Sequence, residues 1–257
     1  IKIFATAVNS GDVRMRRADP WAVRLIFGLT KPRKNILGFV LSGEVEAVGK
    51  NVTKFKTGDK VFGATGMGFG AYAEYKCLPE DGMLAIKPDN ISHKEAASIS
   101  FGATAALHFL RKANIKSGQK VLVYGASGAV GTAAVQLAKY YGAVVTGVCS
   151  ASNVEMVKSL GADKVIDYTK EDFTKSGERY DVIFVTVDKL SFSDSIKSLK
   201  KRGTLILGAT GISQTLRGVW TSMTSNQKVI AGVISQKADD IIFLKELIEK
   251  GHYKAVI

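Results

Sequence analysis

Residues 121–145 read "VLVYGASGAVGTAAVQLAKYYGAVV", a β-branched run that becomes an alanine-rich helix through a loop where Gly125, Gly128 and Gly131 recur every third residue. A chain that leaves a strand for a helix this abruptly needs turn residues without bulky side chains. The same turn lets a phosphate approach backbone N–H groups, and the helix N-terminus adds partial positive charge. Val130, Ala133, Ala134, Leu137, Ala138 and Tyr141 share one face at helical spacing. Apolar strands are expected at 120–124, 143–149, 164–167, 181–187, 203–208 and 229–234, and helices at 129–141, 153–160, 192–200 and 238–249. Apolar strands alternating with helices have no polar side to show to water, so they require a parallel sheet covered on both faces. The fold class is therefore α/β, a doubly wound parallel sheet.

In the GxGxxG register of dinucleotide sites the loop reads Ala126, Ser127, Gly128, Ala129, Val130, Gly131, with alanine in the first glycine place. Ala126, Ser127, Gly128, Ala129 and Val130 are the candidate cofactor contacts. An NAD site places Asp or Glu at the end of the second strand to bind the ribose diol, and that carboxylate repels a 2′-phosphate. Here the strand ends in Val148, Cys149 and Ser150. With no acid, and with polar groups on Ser150, Ser152 and Asn153, the pocket suits NADP(H). Lys158 adds charge nearby, although a helical lysine is commonly just solvated.

From Ile1 to about Leu84 the runs "IKIFATAV", "LSGEVEAVG", "KVFGA" and "AYAEYKCL" are short and β-rich, with no long helical period. A helix is expected from Ser92, which forms a capping box with Glu95. We place the boundary there: residues 1–93 form a mainly β domain and 94–257 the nucleotide-binding domain.

The 257 residues carry 36 Lys and Arg against 23 Asp and Glu, a formal charge of +13. Apart from "KPRK" at 31–34 the cations are scattered, without interleaved aromatics, so no nucleic-acid partner is expected. The apolar runs are only strand length, far short of a membrane span, and the first residues given show no basic region followed by an apolar core. No membrane partner and a cytoplasmic location are the expectation. Cys77 and Cys149 lack CxxC spacing, and His93, His108 and His252 are widely separated, so no metal is expected.

Three stretches carry a family resemblance: "ATAVNSGDVR" at 5–14, "GAYAEY" at 70–75, and the glycine-loop segment followed by "LGADKVIDY" at 160–168. Together they resemble the zinc-independent quinone oxidoreductase branch of the medium-chain dehydrogenase/reductase superfamily. The resemblance implies a GroES-like β domain before a Rossmann domain, catalysis in the cleft between, and a homodimer. It implies hydride transfer from NADPH to a quinone or α,β-unsaturated carbonyl, the small-molecule substrate. Asn9 and Thr104 become the candidate catalytic residues. As an alternative, Asn9 simply caps the turn containing Gly11 and Asp12. Tyr168, Val187 and Gly208 join the candidate cofactor contacts, and Trp21 falls where relatives build a substrate wall. Tyr72 or Tyr75 as proton donor competes with a packing role. Zinc enzymes of the superfamily hold cysteine, histidine and glutamate where this chain has Ser10, Phe39 and Val40.

The chain also departs from the family pattern. Val185 stands where Asp is usual, Asp188 where a glycine lets the loop approach the cofactor, and Arg202 where a second glycine is common. Family members carry further strands before "IKIFATAV" and after "YKAVI", so terminal segments are expected beyond this record. The alternative reading is a nucleotide-binding relative that lost the reaction and serves a structural or regulatory role.

Overall fold

The β-rich runs of the N-terminal part pair into an antiparallel sheet of β1 (Lys2–Ala5), β2 (Val40–Glu44), β3 (Lys60–Ala64) and β4 (Leu84–Ile86), in that order. The computed structural model describes residues 1–19, 21–208, 218, 222, 225–235 and 237–257. Leu41, Val45, Val61, Ala71 and Leu84 form one apolar cluster of this unit, with β2 and β3 in register from Val40 opposite Ala64 to Glu44 opposite Lys60. The run at 71–78, expected as a strand, contributes less: Ile3 N–H donates to the Glu74 carbonyl (2.8 Å), Lys76 N–H to that of Ile1 (2.9 Å), and Tyr75 forms an isolated bridge with Lys2.

Two helices stand where the sequence suggested only β-structure, α1 (Ser10–Arg17) and α2 (Val23–Phe27). Helix α1 has no apolar stripe to announce it; a reciprocal cap between Asn9 and Asp12 starts it. The capping box expected for α3 (His93–Ala113) is present, with Glu95 Oε2 accepting from Ser92 N–H and Oγ, each at 2.8 Å.

Beyond α3, strands and helices alternate: β5 (Lys120–Tyr124), α4 (Ala129–Tyr140), β6 (Val144–Cys149), α5 (Val154–Ser159), β7 (Lys164–Asp167), β8 (Tyr180–Val185), α6 (Phe192–Lys197), β9 (Leu199–Leu207), β10 (Lys228–Ile230) and α7 (Ala238–Glu249). The six strands from β5 to β10 form one all-parallel sheet in the order β10-β9-β8-β5-β6-β7. The order reverses direction on either side of β5, which makes its C-terminal end the switch point where such sheets bind ligands. Gly131 to Ala138 are buried along α4, more than the single apolar face read from its spacing.

The chain divides into two compact units, Ile1–Thr104 with Gln236–Ile257, and Ala105–Ser235. This differs from the expected boundary after residue 93, and it returns the last helix to the first unit. The cause is packing: Ile241 of α7 joins Phe62, Ala85 and Ala96 in one apolar cluster, and Asn90 Nδ2 donates to the Ile248 carbonyl (3.0 Å).

Strand β9 carries the "KKRG" departure as an irregularity. Tyr180 pairs with Leu199, but the next pair is Val182 with Thr204, and Arg202 sits at φ +63°. A side chain in the left-handed region is strained by about 1 kcal/mol relative to glycine. Arg202→Gly should therefore raise stability by about that amount in chemical denaturation. An unchanged or lower midpoint would show that the Arg202 side chain contributes more than its backbone costs.

Candidate functional site

At the switch point, Gly125 leaves β5 at φ +86°, and its N–H and that of Ala126 both donate to the Val148 carbonyl (3.0 and 2.9 Å). Thr186 Oγ1 clasps the turn from the other side, donating to the Tyr124 and Gly125 carbonyls (2.9 and 3.0 Å). A Cβ on Gly125 would come within 2.6 Å of Thr186 Oγ1 and 2.9 Å of Val187 Cγ2. A Cβ on Gly131 would overlap the Gly125 carbonyl oxygen and lie 2.8 Å from Ala126 Cα. The tight turn thus falls on Gly125, one place before the fingerprint's first glycine, which is why Ala126 is accepted there, fully buried.

Helix α4 is capped by Gly128, which supplies no side-chain hydrogen bond. Its first-turn N–H groups therefore lack the capping oxygen that most helices provide, in a position suited to an anion. Beside this turn lies an open cavity of about 250 Å³, lined by Tyr124, Gly125, Ser127, Gly128, Val148, Cys149, Ser150, Tyr168, Val187 and Lys189.

Of the expected cofactor contacts, the structure gathers Ser127, Gly128, Ser150, Tyr168 and Val187 on this cavity. Ala129 and Val130 form the start of α4 beside it, and Ala126 packs beneath. Asn153 does not line the cavity; its Nδ2 donates to Ser150 Oγ (3.0 Å), which also lies 3.2 Å from Ser152 Oγ. Gly208 closes β9 against Phe184, where a Cβ would come within 2.9 Å of the ring.

Lys189 was not singled out by sequence. It lines the cavity, while the cation that was considered, Lys158, is paired with Glu155 on the exposed face of α5 (3.0 Å). Among the described residues no carboxylate lines the cavity. Asp167, opposite Cys149 in the β6–β7 pairing, directs Oδ1 to Thr169 N–H and Oγ1 (3.0 and 2.7 Å), and those bonds hold its pKa below the usual carboxylate range. Burial, and secondarily Asp167, push the Cys149 thiol up, so it is a neutral wall group. Burial likewise raises the pKa of the Tyr124 phenol, aided by Tyr168 and Asp172.

The departures Val185 and Asp188 leave this geometry open. Val185 is buried in the sheet's apolar core, and Asp188 is exposed, lies outside the cavity lining and does not adopt a positive φ.

In the first unit, Asn9 does cap α1: Oδ1 accepts from Gly11 and Asp12 N–H (2.8 and 3.2 Å), and Asn9 N–H donates to Asp12 Oδ2 (3.1 Å). Its Nδ2, however, is buried without a hydrogen-bond partner among the described residues. An amide donor in that state is an invitation to an acceptor. Thr104 is fully buried in α3 and its hydroxyl donates to the Ser100 carbonyl (2.7 Å). The Tyr72 hydroxyl is bonded to the buried Asp12; burial first, then that bond and charge, push its pKa well up, which makes it a poor acid. Tyr75 is 52% exposed.

The three places where zinc enzymes carry ligands offer none here. Ser10 opens α1, Val40 is fully buried, and the Phe39 ring packs edge-on against Phe69 at 4.7 Å. His93 accepts from or donates to Ser42 Oγ (2.8 Å), far in sequence from the other histidines. Among the described residues no group of three His, Cys, Asp or Glu is placed to hold a metal.

Residues 1–89 match the family described as alcohol dehydrogenase GroES-like domain, and residues 129–250 the family described as zinc-binding dehydrogenase. The chain is 34% identical, over its full length and 80% of the relative's, to the chloroplast envelope quinone oxidoreductase homolog of Arabidopsis thaliana. It is 33% identical to the NADPH-dependent alkenal/one oxidoreductase of the same plant, covering 90% of this chain but spanning only 59% of that protein's length. The solved quinone oxidoreductase of Coxiella burnetii superposes with a TM-score of 0.84 at 28% identity, covering 98% of this chain and 78% of that one. Two matched domains in this order, a glycine turn at a switch point, and full-length identity to a quinone oxidoreductase homolog place the chain in the medium-chain dehydrogenase/reductase superfamily, in its quinone oxidoreductase branch.

Proposed function

We propose that the chain is an NADPH-dependent reductase of quinones or α,β-unsaturated carbonyl compounds. The observation that carries this reading is the cradle at the end of β5, where glycines at 125 and 131 hold a turn no side chain could enter, beside an uncapped helix start. Those features fit a dinucleotide pyrophosphate against backbone N–H groups of Ser127 to Val130. Ser150, Tyr168, Val187 and Lys189 would hold the adenosine half, with the Lys189 ammonium facing the 2′-phosphate. When bound, NADPH supplies a hydride from nicotinamide C4 to an electron-poor carbon of the acceptor.

The protein's part is positioning. The Asn9 amide, with no partner among the described residues, is a donor suited to a carbonyl oxygen of substrate or cofactor, and family resemblance makes Asn9 and Thr104 the residues that would serve the nicotinamide end. With the Tyr72 hydroxyl committed to Asp12, the proton that completes reduction comes from solvent. Asn9→Ser separates Asn9's two roles, because serine caps a helix as well as asparagine but has no amide. We expect kcat/KM to fall about tenfold or more with stability changed by less than about 1 kcal/mol. Unchanged turnover would reduce Asn9 to a cap.

The homodimer and a cytoplasmic setting belong to the same proposal; relatives named for the chloroplast indicate that this fold also works in organelles. Sedimentation equilibrium and cell fractionation test them. The activity itself is tested by following NADPH oxidation against a panel of quinones and enones. Turnover with at least one class is the expected result; tight NADPH binding with turnover on none would favour the nucleotide-binding alternative.

A further inference from the structure

The first unit exposes charge and apolarity that the cofactor cavity does not explain and that a substrate wall, the role the resemblance gives Trp21, explains at one residue alone. Arg14, Arg16, Arg17, Arg24, Lys31, Arg33 and Lys34 are all exposed between residues 13 and 36, against a single exposed acid, Asp19. Asp12 is buried within the α1 cap and does not offset them. Among these cations stand large apolar side chains in the open: Val13 is 41% exposed, Trp21 65%, Leu25 59%, Leu29 60% and Ile36 52%. Scattered single apolar residues need no explanation, but five within one short cationic excursion do.

Individual contacts hold several of its described residues. The Phe27 ring packs edge-on against Phe69 at 5.4 Å, and Arg33 N–H donates to the Phe27 carbonyl (2.7 Å). Gly28 turns at φ +123°, where any Cβ would overlap the Lys31 carbonyl oxygen. Arg24 Nη1 reaches the Leu29 carbonyl (3.5 Å), which sets the guanidinium beside an exposed leucine.

We propose that the exposed cations and apolar side chains named above dock on an anionic lipid bilayer from the water side. Lysine and arginine beside exposed tryptophan and leucine suit the headgroup boundary, where cations meet lipid phosphates and apolar tips enter the hydrocarbon edge. Nucleic acid would satisfy the cations but leave Leu25, Leu29 and Ile36 in water. A second copy of the chain would bring seven cations against seven across a twofold interface. The contact is peripheral, since no described helix is long and apolar enough to cross a membrane. It departs from the expectation of no membrane partner, which weighed only spanning segments. The inference does not rest on the reductase reading, because its test measures partition and not turnover.

The test is co-sedimentation of the full chain with vesicles of phosphatidylcholine alone and of an equal phosphatidylcholine–phosphatidylglycerol mixture. We expect binding to the anionic vesicles only, released as salt rises and the Debye length shrinks. Reversing Lys31, Arg33 and Lys34 to glutamate should weaken partition by about tenfold or more. The chain has two tryptophans, so in a Trp220→Phe background the emission reports Trp21, and brominated lipid should quench it. If the charge variant misfolds, Leu25→Ser with Leu29→Ser should weaken the same partition. Absence of binding, equal binding to both vesicle types, partition unmoved by these substitutions, or tighter competition by duplex DNA would each overturn the proposal.

Discussion

Gly131→Ala is expected to abolish NADPH binding and to destabilise the second unit by about 3 kcal/mol, a large overpacking penalty. The added methyl would overlap the Gly125 carbonyl oxygen and crowd Ala126 Cα, both backbone atoms that cannot swing aside. Helix α4 would have to lift from a sheet against which Ala133, Ala134, Leu137 and Ala138 are fully buried. Gly128→Ala is the informative contrast, because its Cβ would meet nothing nearer than the Gly125 oxygen at 3.6 Å. It should leave the melting temperature nearly unchanged while weakening dinucleotide affinity, since the methyl would stand where phosphate approaches. Calorimetry and cofactor titration on both variants check the pair; equal losses of stability would refute the packing argument.

Lys189→Glu should have the next largest effect, and a selective one. Among the described residues the cavity is lined by one lysine and no carboxylate, so charge there decides between a ribose diol and a ribose phosphate. Replacing a cation by an anion at an exposed site is expected to weaken NADPH binding on the order of 100-fold, with Lys189→Gln giving about tenfold. NADH affinity should stay within about twofold in both variants, because the diol does not call for the ammonium. Separate titrations of NADPH and NADH read the outcome. Parallel losses for both cofactors would mean that Lys189 holds the loop and does not select the phosphate.

The second unit was legible because its physics is local. Apolar strands such as Val121–Val123 and Val145–Val148 sit between helices with clear spacing, and each observed strand overlaps its expected range. Helix α1 escaped notice because "SGDVRMRR" buries only Asp12, so its signal is the Asn9–Asp12 cap and not periodicity. The placement of α7 was unreadable for a different reason. Its stripe of Ile241, Leu244, Leu247 and Ile248 says that something is covered, but not that the partner is the sheet containing Ala85.

In the cofactor site, the fingerprint register located the turn but not its tightest residue. Gly125 lies one place ahead of the pattern, and its left-handed φ shows only in the structure. Lys189 follows a different strand, β8, and reaches the cavity only because β8 lies beside β5 in the sheet. Sequence alone drew attention to Lys158, whose ammonium instead meets Glu155. Asn9 illustrates both sides: its cap was readable from spacing, while the buried, unpaired amide nitrogen could not be.

A structure of the chain crystallised with NADPH tests the central claim most directly. The account predicts the pyrophosphate against the first turn of α4 and the 2′-phosphate within hydrogen-bonding distance of the Lys189 ammonium. A dinucleotide seated away from the Gly125–Gly131 turn, or one whose 2′-phosphate points away from Lys189, would contradict it.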